Sequence, residues 1–215
     1  MKVYHYLSAE HGLTNITRRH IKVSCLDDLN DTFEMLPSVV STPAAPQAFR
    51  NVKDELGSNR GIICFSGIWH NPVQWSHYAY RHKGLCLGFN VPDELLQRVT
   101  YTQSRPQFDV ESFKNWSCTE KTNWLKNLLH TKFCHWEYEE ELRMWVDLSE
   151  CCVERTRSAR LVFRNFSDDL ILKEVLLGAD CKLTLEEVIE ALGQMKRDVE
   201  ISRVRLSDSE FRVER

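Results

Sequence analysis

The chain has 215 residues, the length of one domain, with 42% hydrophobic and 27% charged residues. A formal net charge of -3 excludes a chain-wide basic surface for nucleic acid or membrane, although Arg155, Arg157, Arg160 and Arg164 cluster. No apolar run is long enough to span a bilayer, and the start M-K-V-Y-H-Y-L-S lacks a signal-peptide core, so the chain reads as cytoplasmic with no membrane partner.

In chain order, Val3 to Leu7 reads as a strand and Ser8 as the N-cap of a helix through about Thr17. Ile21, Val23 and Cys25 alternate as a second strand. Asn30, Asp31 and Glu34 follow on a polar turn, and three prolines mark residues 36–47 as a loop. A helix is expected from about Gln47 to Leu56, then a buried strand from Gly61 to Ser66. Asn71-Pro72-Val73-Gln74 starts a helix that puts Trp75, Tyr78 and His82 on one face and stops at Gly84. Leu85 to Phe89 is a further buried strand, and a short helix near Asp93 to Gln97 leads to a strand at Val99 to Thr102. Residues 109–134 have helical spacing.

Trp136 to Val146, W-E-Y-E-E-E-L-R-M-W-V, reads as one strand. Period two then puts Glu139, Glu141 and Arg143 on one face and Leu142, Met144 and Val146 on the other. After a basic connection, Leu170 to Leu177 is a strand and Thr184-Leu185-Glu186-Glu187 a capping box. Ile201 to Leu206 supplies another strand, so residues 170–206 form one crossover unit, and a last strand runs from Phe211 to Val213. Eight or nine strands mixed with four or five helices make an α+β domain over residues 1–215.

The eight cysteines fit reduced thiols. There is no C-x-x-C, so no structural zinc is expected, and no P-loop, G-x-G-x-x-G, G-x-S-x-G or H-E-x-x-H occurs. Five groups of residues carry chemistry. Glu139, Glu141 and Arg143 could do acid/base work, bind a metal, or simply pair across strands. Asn30, Asp31 and Glu34 sit where loops carry catalytic groups, or where a turn needs them. Trp75 and Tyr78 are a stacking platform or core, and His5 beside Tyr4 is a cofactor contact or a satisfied core residue. Glu174, on a buried apolar strand, either points inward or lies at the strand mouth.

The stretches together resemble one bacterial domain family of unknown function. They are Tyr4-x-Tyr6, Asn30-Asp31-x-x-Glu34, Cys64-Phe65-Ser66, Trp75-x-x-Tyr78-Ala79, His82 to Phe89, Trp136-x-Tyr138-Glu139-x-Glu141-x-Arg143 and Lys173 to Gly178. Thr32 stands where that family usually has proline. More distantly, the opening strand–helix–strand and the late E-V-L-L strand resemble DarT-type ADP-ribosyltransferases and tRNA 2′-phosphotransferases. That likeness implies NAD held between two small sheets and an acceptor on nucleic acid or protein, as in toxins or phage-defence effectors. It implies His5 holding the cofactor and an aromatic such as Tyr78 against the nicotinamide, and Tyr4 and Trp75 are further candidate cofactor contacts. Glu141 or Glu174 would activate the acceptor, and Arg143 and Asp31 are further catalytic candidates. Two other functions fit the residues. One is a metal-dependent nuclease using Asp31, Glu139 and Glu141, with Arg143 or Lys132 at the phosphate. The other is a non-enzymatic binding or regulatory protein.

Overall fold

The computed structural model describes residues 1–39, 57–155 and 160–215. The helix expected at 47–56, most of the proline-rich stretch, and Arg157 lie outside them. Strands of the first half are β1 (Lys2–Leu7), β2 (His20–Val23), β3 (Ser38–Val39), β4 (Arg60–Ser66), β5 (Leu85–Asn90), β6 (Leu96–Arg98), β7 (Thr100–Thr102) and β8 (Gln107–Phe108). The second half adds β9 (Thr131–Phe133), β10 (Glu141–Asp147), β11 (Cys152–Arg155), β12 (Arg160–Asn165), β13 (Ile171–Leu177), β14 (Glu200–Arg203), β15 (Arg205–Leu206) and β16 (Val213–Glu214).

Seven strands form one sheet in the order β14-β13-β5-β1-β4-β10-β6, antiparallel except for the β13–β14 pair. The parallel pair brackets the helix Leu185–Leu192, which realises the crossover expected from the sequence. A three-stranded sheet, β11-β12-β2, packs its Val23 and Val162 into the same core as the large sheet.

Alternation sorts the large sheet into two faces. Val3, Leu87, Leu142, Met144, Val146 and Val175 share the main core. Each such side chain contributes roughly 1.5–3 kcal/mol when fully buried. Tyr4, Cys86 and Leu176 face the other way, under the helix Pro72–Tyr78 with Trp75. Glu141 and Arg143 alternate with the core-facing residues of β10, as the two-residue period requires.

Three segments near the site differ from the sequence expectation; elsewhere, the helix expected at Asp93 to Gln97 is a 3₁₀ turn, Asp93–Leu95, running into β6. The helix capped by Asn71 ends at Tyr78, because Tyr80, Arg81 and His82 all take positive φ, so His82 does not continue the helical face. Residues 109–134 break into helices Val110–Asn115 and Cys118–Leu129, then β9. The break falls where Ser117 and Glu120 form a reciprocal capping box. Residues Cys134–Glu139 are 3₁₀ turns closed by Glu140 at φ 44, so β10 begins only at Glu141 and Glu139 stands on the turn before it.

Candidate active site

β1 meets β4 at a single register pair, Tyr4 with Ser66. By contrast, β1 pairs with β5 at six positions and β4 with β10 at seven. The sheet therefore parts between β1 and β4. His5 reaches across the gap, its ring Nδ1 lying 2.9 Å from the Cys64 carbonyl oxygen. A carbonyl only accepts, so Nδ1 carries the proton and Nε2 of the neutral ring is an acceptor. Burial lowers the His5 pKa, with the Cys64 carbonyl pulling the other way, which favours this neutral form.

A cavity of about 270 Å³ opens at the parting. His5, Asn30, Ser66, Tyr78, Glu139 and Glu141 line it, so segments up to 136 positions apart in sequence converge. Below it runs a ladder of alternating charge. Tyr78 donates its hydroxyl proton to Glu139, and Asn30 donates to the same carboxylate oxygen at 3.1 Å. Lys132 Nζ donates to Glu139 at 2.5 Å, to Glu141 at 3.1 Å and to Asn30 Oδ1 at 3.0 Å. Arg143 grips Glu141 through Nε at 2.8 Å and Nη2 at 3.1 Å, and Nη2 also donates to Glu34. The Tyr101 hydroxyl accepts from the Glu141 backbone N–H at 2.8 Å. Glu34, Lys132, Glu139, Glu141 and Arg143 are all buried.

Such a ladder is expensive to desolvate, and its members hold one another in place. Burial works against the Lys132 charge, but Glu141 and Glu139 outweigh it and its pKa rises. Glu141 is pushed up by burial, with Lys132 opposing and Glu139 reinforcing the shift. Burial lowers Arg143 to about 10, still well above neutrality, so the guanidinium stays charged. Tyr78 is pushed up by burial and by Glu139, so it remains a phenol. Cys64 also faces the cavity, but burial and Glu141 keep its thiol protonated, which makes it a poor nucleophile. The chemistry on offer is a pair of neighbouring carboxylates with a phenol, an ammonium and a neutral imidazole.

Glu141, Tyr4, His5 and Tyr78 all line this cavity. Four other expected residues do not. Arg143 lies behind Glu141, fully buried, and positions it rather than facing the cavity. Trp75 is fully buried core and donates its indole N–H to the Trp69 carbonyl at 2.6 Å. Asp31 lines a neighbouring cavity and accepts from the Phe33 N–H at 2.9 Å.

Glu174 stands on the same sheet rung as Glu141, in the row Glu174–Gly88–Tyr4–Ser66–Glu141. Four strand spacings separate the two glutamates, about 19 Å at about 4.8 Å per strand. Glu174 is fully buried and paired with Arg215, with Lys2 at 3.6 Å. Gly88 makes room for it, because a Cβ there would stand 2.9 Å from Glu174 Cβ. Two glutamates that far apart cannot serve one bond.

Lys132 is the residue that sequence reasoning undervalued. It falls inside a stretch of helical spacing, and nothing in T-K-F shows that β9 carries it between two carboxylates. Gln74, a helix-start residue by sequence, donates its amide to Ser66 at 3.0 Å and to the Tyr138 carbonyl at 2.8 Å. No family model, curated protein or solved structure matches the chain, so the resemblances rest on the motifs alone.

Proposed function

We propose that the chain is an ADP-ribosyltransferase-like enzyme that consumes NAD and modifies a macromolecule, of the kind used by toxins and phage-defence effectors. The observation that carries this is the cavity at the parting of β1 and β4, where His5, Tyr78, Glu139 and Glu141 meet. Its volume suits the nicotinamide-riboside end of NAD, with the remainder at the surface. NAD supplies a ribose joined to a neutral leaving group, nicotinamide. As the C1–N bond breaks with its electrons going to nicotinamide, positive charge develops on the ribose.

Glu139, held by Tyr78, Asn30 and Lys132, presents its carboxyl group to that ribose in a fixed position. His5 Nε2 accepts from a ribose hydroxyl, and the Tyr78 ring lies against the departing nicotinamide. Glu141, with its raised pKa, takes the proton of the acceptor's hydroxyl or amine as that atom bonds to C1. Arg143 and Lys132 orient Glu141. Incubation with NAD labelled in its adenylate should transfer label to a macromolecule and release nicotinamide. Neither product, with nucleic acid and protein both present, would remove this reading.

The nuclease reading finds less support. Among the described residues no three His, Cys, Asp or Glu side chains converge as metal ligands, and the Lys132 ammonium lies between Glu139 and Glu141. The complete pairing of Arg143 with Glu34 and Glu141 favours the non-enzymatic alternative, in which the ladder only braces the fold. Among the described residues no helix is long and apolar enough to cross a membrane.

A further inference from the structure

One turn, Asn30 to Glu34, touches both ends of the charge ladder. At its start, the Asn30 amide nitrogen donates to Glu139 at 3.1 Å and its oxygen accepts from Lys132 at 3.0 Å. At its end, the Glu34 carboxylate accepts from Arg143 Nη2, on the guanidinium that forks onto both oxygens of Glu141. The segment between them is closed by its own bonds. The Glu34 N–H donates to the Asp31 carbonyl at 3.0 Å, and the Phe33 N–H to the Asp31 carboxylate at 2.9 Å. Leu26 before the turn and Met35 after it are buried in one small cluster with Ile62. Met35 has φ 60, a conformation that residues with side chains rarely adopt.

Turn chemistry explains Asn30 and Asp31 but not Glu34. Nor does Glu34 sit where a solvated acid would: Phe33 beside it is 59% exposed, whereas Glu34 is 4% exposed. One Glu34 oxygen holds Arg143, and the other is buried with no hydrogen-bond partner among the described residues. An orphaned buried oxygen is costly, so the glutamate is explained by what its charge does to Arg143. Arg143 is fully buried, with Nη1 on the Leu129 carbonyl at 2.7 Å, and its charge is divided between two carboxylates. A guanidinium shared by Glu34 and Glu141 stabilises the Glu141 carboxylate less than one that Glu141 held alone.

We propose that Glu34 is a positioning residue for Glu141, acting through Arg143, while Asn30 at the other end of the same turn positions Glu139. Glu34 holds the guanidinium in the plane that meets Glu141, and it draws off part of the positive charge, so that Glu141 keeps the proton affinity of a working base. Calling Glu141 the base rests on the transferase reading; the coupling of Glu34 to Glu141 does not. The other groups facing Glu141 are Lys132 from β9, Glu139 from the 3₁₀ turns, Cys64 from β4 and Tyr101 from β7. Asp31 acts on Arg143 from within the turn. Glu34→Gln leaves all of these in place.

The test is a carbon NMR titration of the side-chain carboxyls in the full chain, without NAD. The Glu141 signal is assigned by its loss in Glu141→Gln. Glu34→Gln should move the Glu141 midpoint down by about one pH unit, because a neighbouring negative charge is gone. Glu34→Asp keeps the charge but draws it back, and should move the midpoint the same way by less; it carries the test if the Gln variant does not fold. Glu174→Gln, a buried carboxylate elsewhere on the sheet, should leave the midpoint unchanged. A merely structural Glu34 would lower stability without moving this titration. An unmoved or raised midpoint in the Glu34 variants, or an equal shift in Glu174→Gln, overturns the proposal. With NAD present, Glu34→Gln should lower kcat for nicotinamide release by roughly 10- to 100-fold at a near-normal KM, the cost of a misplaced group. A shifted midpoint without any NAD consumption would keep the coupling and remove the transferase. NAD consumption with an unmoved midpoint would do the reverse.

Discussion

Lys132 Nζ lies 2.5 Å from Glu139 Oε2, and both side chains are buried. The 3₁₀ turns of Cys134–Glu139 fold the chain back so that β9 and the start of β10 present their charges to each other. Removing the ammonium leaves Glu139 and Glu141 as neighbouring buried carboxylates. Lys132→Met should therefore cost about 3–5 kcal/mol of folding stability. Urea denaturation measures it. A loss below about 1 kcal/mol would mean that the carboxylates escape to water, and that the ladder is not a rigid unit.

The two rival glutamates separate cleanly by experiment. On the transferase reading, Glu141→Gln should cut nicotinamide release by roughly 10²- to 10⁴-fold, the usual worth of a positioned acid or base. Glu174→Gln should leave turnover near the wild-type level, because Glu174 is about 19 Å away along the rung at ordinary strand spacing. It should instead weaken the hold on Arg215 and lower the melting temperature. Equal loss of turnover in both variants would mean that the cavity at the sheet parting is not where the chemistry occurs.

Periodicity made the strand faces legible. Leu142, Met144 and Val146 face the core, and Glu141 and Arg143 face away from it, because alternation is a local property of an extended chain. The crossover from β13 to β14 was equally legible, since its capping box and its flanking apolar runs are contiguous in sequence. The site was legible only as a list of segments. Sequence does not show that β1 and β4 touch at one rung, and that single pairing is what creates the cavity. Nor does it separate a tryptophan in a helical stripe from a stacking platform. Trp75 and Tyr78 sit three residues apart on one short helix, and only packing decides that the first is core and the second lines the cavity.

That difference predicts opposite phenotypes. Trp75→Ala should destabilise the fold by about 3–5 kcal/mol through the void it leaves. Tyr78→Phe keeps the ring and removes the hydroxyl, which donates to Glu139 and accepts from Asn30 at 2.7 Å, so its stability cost should be about 1.5–3 kcal/mol, the worth of a hydrogen bond to a charged group. Its turnover should fall more than its stability suggests. Chemical denaturation and nicotinamide release, measured on the same two variants, check both halves.

His130 is held in one tautomer from both sides. Its Nδ1 donates to the Lys126 carbonyl at 2.7 Å, and its Nε2 accepts from the Trp145 indole N–H at 2.9 Å. A proton on Nε2 would set donor against donor. Burial lowers the His130 pKa from 6.5, partly opposed by the Lys126 carbonyl. Above 6.5 the folded and unfolded chains are both neutral at this position, and the contribution to stability is fully present. As pH falls below 6.5 the unfolded chain takes up the proton first, so stability declines until the folded pKa is passed. An NMR titration of the imidazole should show the lowered value. In Trp145→Phe, which removes the opposing donor, the pKa should move up toward 6.5, and the acid-side loss attributable to His130 should shrink. An unchanged titration in that variant would show that the indole contact does not control the proton.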